Sequence, residues 1–253
     1  MNIEEGTACC RKDAARGGND IGKMKKVSEV RKKGFYRHYP SGGWPLYWLL
    51  LAYVVAGWFW PVVGWALQFY IIGSVATAFW RGRWWCGHVC PRGNMYLRLL
   101  SRYSPHRQIP PLVRTIGFRL SVVIVVFTSF GIGIYNTWGD FSAMGGVFWR
   151  TILITTLIGI VLSFVYAPMT WCSFCPIGSL AAWGAPRKEP LPKGFIRVYI
   201  EDGCEGKCLT CARVCPMQLT PYKSRSKTEG YLNPDCIKCG RCADACPHKL
   251  VKL

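Results

Sequence analysis

Acidic residues are scarce: 13 Asp and Glu stand against 32 Lys and Arg in 253 residues, a net charge of +19. Such a surplus marks a nucleic-acid binder when the basic residues gather into a patch or stripe. Here they flank apolar stretches, so no nucleic-acid partner is expected. Histidine is scarcer still, with four residues: His38, His88, His106 and His248. None lies inside an apolar span, whereas a bis-histidine haem needs two facing each other within the membrane. No haem is expected. Charge of either sign is missing from Trp44 to Phe79, a run of 36 residues. As one helix that run would be about 54 Å long, far beyond the ~30 Å hydrocarbon layer. No apolar core follows a short basic start closely enough for a cleaved signal peptide.

Cysteine is abundant, with 14 residues. Twelve fall at ligand spacing, which favours metal over disulfides and a reducing compartment. Cys9 and Cys10 are left over; adjacent thiols chelate one metal poorly, so they read as free thiols in a tail. The C-terminal run is CEGKCLTCARVCP followed by CIKCGRCADACP. The second half has the bacterial ferredoxin spacing C-x2-C-x2-C-x3-C-P, in which three thiolates wrap one cluster and the fourth reaches the other. Cys236, Cys239, Cys242 and Cys215 are thus expected to hold one [4Fe–4S] cluster. Cys204, Cys208, Cys211 and Cys246 are expected to hold a second. Three residues rather than two separate Cys204 from Cys208, which loosens that loop. A zinc ribbon is the competing reading, but zinc sites rarely carry two C-x3-C-P endings.

The uncharged run from Trp44 to Phe79 holds Pro61 within a cluster of tryptophans, Trp58, Trp60 and Trp65. Proline breaks helices and Trp gathers at membrane interfaces. Two spans, near 45–60 and 62–80, are therefore expected to turn at an outer face; one long tilted helix is the alternative. Residues 81–119 carry eight arginines and no acid, which places them inside by the positive-inside rule. Residues 94–104 pattern as an amphipathic helix with Met95, Tyr96, Leu99, Leu100 and Tyr103 on one face. It would lie in the headgroup layer or pack on protein. A third span is expected over Leu120–Tyr135, with a start as early as Thr115. An outer loop follows, with aromatics at 135, 138, 148 and 149, and a fourth span over Val147–Pro168.

The expected fold is an α-helical membrane protein of four transmembrane helices, arranged as two repeated hairpins, with a C-terminal α+β bacterial-type two-cluster ferredoxin domain. Residues 1–43 form a basic cytoplasmic tail, 44–183 the transmembrane domain, 184–203 a Pro-containing linker and 204–253 the ferredoxin. Both termini and the ferredoxin are expected in the cytoplasm of a prokaryotic cell, on the inner membrane.

The repeat is carried by Trp85-Cys86-x3-Cys90-Pro91-x-Gly93 and Trp171-Cys172-x2-Cys175-Pro176-x-Gly178, each directly after a hairpin. If the hairpins pack side by side, Cys86, Cys90, Cys172 and Cys175 converge, and four thiolates are the ligand set of a third [4Fe–4S] cluster. Redox-active dithiols, or thiols without metal, are the competing readings. His88 lies within the first pair. There it either bonds a cluster sulfur or a quinone oxygen, or merely packs.

These motifs, from about residue 44 to 250, resemble the NapH family of membrane quinol dehydrogenase subunits associated with periplasmic nitrate reduction. The chain departs from that family in a compressed first hairpin, a C-x2-C second pair and a long basic tail. The resemblance implies quinone or quinol as substrate and electron relay to other redox subunits of a membrane complex. A maturation factor that reduces a metal or thiol for another complex is the alternative.

Overall fold

The computed structural model describes residues 46–185, 198–201, 204, 208–223 and 233–252. The basic tail with Cys9 and Cys10, and most of the expected linker, lie outside the described residues.

Helix α1 spans Tyr47–Phe59. Trp60 then turns extended and Pro61 opens a 3-10 segment, Pro61–Trp65, that runs into α2, Ala66–Arg81. Proline suits the first position of a helix because its missing N–H would be unpaired there anyway. The break therefore falls at the Trp-Pro step that the sequence marks. The short helices α3 (Trp84–His88) and α4 (Pro91–Arg98) follow, then α5 (Ile116–Asn136) and α6 (Phe141–Val165). Helices α7 (Thr170–Phe174) and α8 (Pro176–Gly184) close the helical half. Beyond them come strand β1 (Tyr199–Ile200), α9 (Thr210–Arg213), α10 (Arg241–Asp244) and strand β2 (Val251–Lys252).

Three of these segments are long and apolar enough to cross a membrane: Pro61–Arg81, Ile116–Asn136 and Phe141–Val165. Helix α1 is apolar but has 13 residues, about 20 Å at the helical rise. The described residues are thus mostly helical, with three membrane-crossing candidates among them where four spans were expected.

Helix α6 starts six residues before the expected Val147, because Asp140 caps it. Its carboxylate accepts from the N–H groups of Ser142 and Ala143 at 2.9 and 3.1 Å. Phe148 and Trp149 consequently lie inside the helix, buried, rather than in an outer loop. The Trp149 indole N–H donates to the Val54 carbonyl at 3.1 Å, tying α6 to α1. Close packing there needs glycine: a Cβ on Gly64 would stand 1.9 Å from the Gly145 carbonyl oxygen, and one on Gly145 2.5 Å from that of Pro61. Small residues let helix backbones approach in this way in membrane bundles. Trp58, Trp60, Tyr135 and Trp138, at the two tips, are all more than three-fifths exposed, as interfacial aromatics are.

The expected 94–104 helix is split. Cys90 and Pro91 start it earlier, and it gives way to a 3-10 turn at Leu100–Arg102. The turn rotates the apolar face. Met95, Tyr96 and Leu100 become buried, while Leu99 and Tyr103 are left exposed. This element packs on protein. Met95, Tyr96, Leu97, Met169, Trp171 and Phe174 share one core with Met217, Leu219 and Ile237 from the C-terminal half.

The C-terminal half is built twice over. Strands β1 and β2 pair antiparallel, Tyr199 with Lys252 and Ile200 with Val251. Helix α9 follows a left-handed residue, Leu209, one position after Cys208; helix α10 follows left-handed Gly240, one position after Cys239. Gln218 and Lys249, three residues after Cys215 and Cys246, are also left-handed. The two cysteine runs thus fold the same way.

Candidate metal centres

At the ends of the long helices opposite the Trp-rich turn, the two Cys-Pro motifs expected at a membrane edge take the same local form. Cys86 sits on five-residue α3 and Cys172 on five-residue α7. Cys90 and Cys175 each occupy the cap before the next helix, with proline as its first residue. The Cys90 sulfur accepts from the Gly93 N–H at 3.5 Å. The motif glycines differ in what they clear. A Cβ on Gly93 would meet the Cys86 carbonyl at 2.5 Å, and one on Gly178 the Arg83 guanidinium at 2.7 Å.

Cys86, Cys90, Cys172 and Cys175 line a single cavity of about 250 Å³, together with Arg83, Arg92, Trp85 and Trp171. Burial pushes the Cys86 thiol up to about 11, against the opposing charge of Arg83. Cys172 is also raised, through burial and then the charges of Cys175, Cys90 and Cys86. A redox-active dithiol works through a lowered pKa, and this environment does the opposite. Metal binding needs thiolates and releases their protons, so a cationic cluster core held by these four sulfurs would supply the positive charge that favours their ionised forms.

In the C-terminal half, Cys215, Cys236, Cys239 and Cys242 line one recess. Burial pushes Cys236 up to about 12, with Cys215 and Cys239 adding to it. Cys242 is raised by burial and then by Cys239, Cys236 and Cys215. The Cys215 sulfur accepts from the Leu219 N–H at 3.3 Å. Cys211 is raised to about 12 by burial, with Cys208 and Cys204 contributing. It packs in a second, smaller core beside Cys204 and Cys246. Among the described residues, no group of three His, Cys, Asp or Glu side chains is placed to hold a metal ion. A cube attaches each thiolate to a separate iron, and sulfurs that accept from backbone N–H groups, as those of Cys90 and Cys215 do, suit it.

His88 does not join the cavity that the membrane-edge cysteines line. It is exposed, stacks on Trp84 with ring centroids 4.6 Å apart, and has its Nδ1 3.1 Å from the Trp84 carbonyl.

The two halves are fastened beside Cys236. Asp235 accepts from Arg119 Nη1 and Nη2 at 2.9 and 2.7 Å and from Arg83 Nη1 at 3.0 Å. Arg83 also donates to the Cys172 carbonyl. Both arginine side chains are nearly fully buried. Arg114 donates to the Met217 carbonyl at 2.6 Å, and Gln218 spans the Ile109 N–H and the Arg107 carbonyl at 3.0 and 2.8 Å. A Cβ on Gly87 would stand 2.5 Å from the Ile237 carbonyl oxygen. Sequence reasoning assigned all eight inner arginines to topology and missed this clamp. Two signals were available: an acid next to Cys236 in an acid-poor chain, and Arg119 at the edge of an apolar span.

The family described as 4Fe–4S dicluster domain matches residues 203–251. The family described as 4Fe–4S binding domain matches residues 62–109 and 148–193, each a long apolar helix with a cysteine pair after it. The chain is an iron–sulfur, ferredoxin-type electron-transfer protein with helices long and apolar enough to cross a membrane. It is, more particularly, a NapH-like 4Fe–4S protein. It is 27% identical over 185 residues to the ferredoxin-type protein NapH of Haemophilus influenzae, covering 66% of this chain and 61% of that one. It is 28% identical over 194 residues to NapH of Escherichia coli, covering 72% and 65%. An uncharacterized protein of Methanocaldococcus jannaschii is 27% identical over 215 residues, covering 77% and 78%. The matched region is thus less than two thirds of each NapH relative's length. No solved structure matches the chain.

Proposed function

We propose that this protein is a four-span membrane subunit that takes electrons from quinol and relays them to a partner redox enzyme through three [4Fe–4S] clusters. Cys86, Cys90, Cys172 and Cys175 would hold the cluster at the membrane edge. Cys215, Cys236, Cys239 and Cys242 would hold the next, and Cys204, Cys208, Cys211 and Cys246 the outermost. The observation that carries this order is the shared core: Cys86 and Cys175 pack against the same residues as Cys215, Cys236 and Cys239. Cys204 and Cys246 pack in the separate outer core, which Cys236 and Cys242 also touch. Oxidation of one quinol yields a quinone, two protons and two electrons, and bound clusters would carry those electrons one at a time.

Helix α1 would supply the first of the four spans. A short apolar helix is accommodated by thinning of the bilayer or by flanking aromatics at the interface. The arginine-rich inner segments favour a cytoplasmic ferredoxin and cytoplasmic termini in a prokaryotic inner membrane.

Iron analysis and electron paramagnetic resonance under anaerobic conditions test the reading. Three clusters bring about 12 irons per chain, and the pair of changes Cys86→Ser and Cys172→Ser should leave about 8. Quinol should reduce the ferredoxin signals in the unaltered protein and not in the variant. An unaltered protein with only about 8 irons would remove the membrane-edge cluster. Signals that respond to dithionite and never to quinol would remove the quinol relay and leave the maturation reading.

A further inference from the structure

The cysteine-lined cavity is the inner end of a series of three. The outermost, about 380 Å³, opens between α5 and α6 on the face that these apolar helices turn outward. Val125, Ile154 and Ile158 at its mouth are exposed, and Trp171 and Phe174 at its floor are buried. A middle cavity of about 180 Å³ shares Val126, Thr151, Thr155 and Trp171 with the outer one. It shares Arg92, Ile152, Trp171 and Cys175 with the cysteine-lined one. Engineered cavities of about 150 Å³ accept benzene, so the middle cavity takes a single six-membered ring.

Its polar wall is sparse. The Thr151 and Thr155 hydroxyls donate to carbonyls of their own helix at 2.8 and 2.7 Å. That leaves Arg92 from α4, Gln68 from α2 and the partnerless indole N–H of Trp171 as the donors facing this space. Nε and Nη2 of Arg92 are buried without a hydrogen-bond partner, and its guanidinium lies 5.4 Å from the centre of the Trp171 ring. A buried donor without an acceptor is costly, and a polar side chain at membrane depth marks a substrate path.

We propose that quinol enters laterally from the bilayer between α5 and α6, with its ring in the middle cavity and one ring oxygen on Arg92. This rests on the quinol reading above. A flat ring with oxygens at opposite ends meets Arg92 with one and either Gln68 or the Trp171 indole N–H with the other. Its apolar tail lies back through the outer cavity into lipid. The ring is thereby set next to Cys175 and behind Trp171, whereas exposed His88 is on none of the three cavity walls.

The test uses the full-length, cluster-loaded protein in phospholipid nanodiscs, with a short-tailed benzoquinol as reductant and a photoreactive azidoquinone as label. Arg92→Gln should raise the KM for quinol about tenfold or more, as expected for losing a hydrogen bond to a charged donor, with Arg92→Lys recovering part of it. Val126→Trp, which plugs the neck between outer and middle cavities, should slow reduction by quinol and abolish labelling of α5 and α6. Both variants should keep their iron content, their paramagnetic signals and full reduction by dithionite. If quinol reduces both variants like the unaltered protein, the port and the Arg92 contact are wrong while the relay stands. Labelling confined to other helices overturns the port in the same way. An azidoquinone that labels α5 and α6 in a protein quinol never reduces would keep the binding site and discard the relay. Retention of one phospholipid, lost in Arg92→Gln and undisplaced by quinone, would assign the cavities to lipid and overturn the proposal.

Discussion

Replacing Asp235 with Asn should undock the ferredoxin half without unloading it. The Asp235 carboxylate receives three charged hydrogen bonds of 2.7 to 3.0 Å from Arg119 and Arg83. Arg83 is 1% exposed and Arg119 7%, while Asp235 is 16% exposed. Breaking a buried pair by removing one partner costs about 3–5 kcal/mol, because the other charge is left uncompensated. Asp235 keeps some water, so the lower end applies, about 3 kcal/mol. At about 1.4 kcal/mol per factor of ten, that weakens docking on the order of a hundredfold. Hydrogen exchange at Met217–Leu219 should speed up accordingly. Reduction of the ferredoxin signals by quinol should slow, while dithionite still reduces them completely. Asp235→Asn and Arg119→Gln should be strongly non-additive when combined, since they remove the same bonds. Burial would raise the Asp235 pKa, but Arg119 and Arg83 outweigh it and hold the pKa below the usual carboxylate range. A lowered carboxylate pKa stabilises above the unfolded value of about 3.9 and is lost as pH falls through the lower folded value. Docking should therefore be flat from pH 5 to pH 8. Additive effects, or unchanged exchange at Met217–Leu219 in Asp235→Asn, would refute the clamp.

Gly145→Ala should lower the thermal stability of the detergent-solubilised protein, because its Cβ would stand 2.5 Å from a backbone oxygen of Pro61. Overpacking of this kind costs about 1–3 kcal/mol. Gly117→Ala, with nothing within 4 Å of its added Cβ, should instead gain up to about 1 kcal/mol of helix propensity; similar melting of the two variants would contradict the packing described. Reporter fusions at Asp140 and at the C-terminus should give opposite locations, only Asp140 reporting outside. A C-terminus outside the cell would reverse the electron path.

What was legible in the sequence was what rests on spacing and on local chain stiffness. Pro61 among tryptophans marked the first turn, because proline acts through its own ring and missing N–H. The twelve ligand-spaced cysteines read directly as sets. Three features were less legible, two for local reasons and one because it joins residues distant in the chain. The early start of α6 depends on Asp140 acting as a cap, which an apolar count passes over. The loss of Leu99 and Tyr103 from the buried face depends on a 3-10 turn at Leu100–Arg102. The clamp depends on Arg83, Arg119 and Asp235 being brought together across more than 100 residues.

The arginines show why charge pattern alone misled. The positive-inside rule asks only that Arg83, Arg92 and Arg119 lie on the inner side of a membrane, and would be satisfied by exposed side chains. Instead Arg83 and Arg119 are buried, and so are Nε and Nη2 of Arg92. Burying a cation is costly unless something anionic meets it. Asp235 meets two of the three. The Arg83 side chain also faces the four membrane-edge thiols, and the charges of Cys86, Cys172 and Cys175 help hold its pKa above the ordinary value despite burial. Burial raises the Cys86 and Cys172 thiols and so disfavours their ionised forms. A bound cluster would keep them as thiolates, supplying the anionic sulfur that buried guanidinium groups at this depth require. The same arginines would then serve three ends at once: orienting the chain in the bilayer, fastening the ferredoxin half, and stabilising thiolate ligands at the membrane edge.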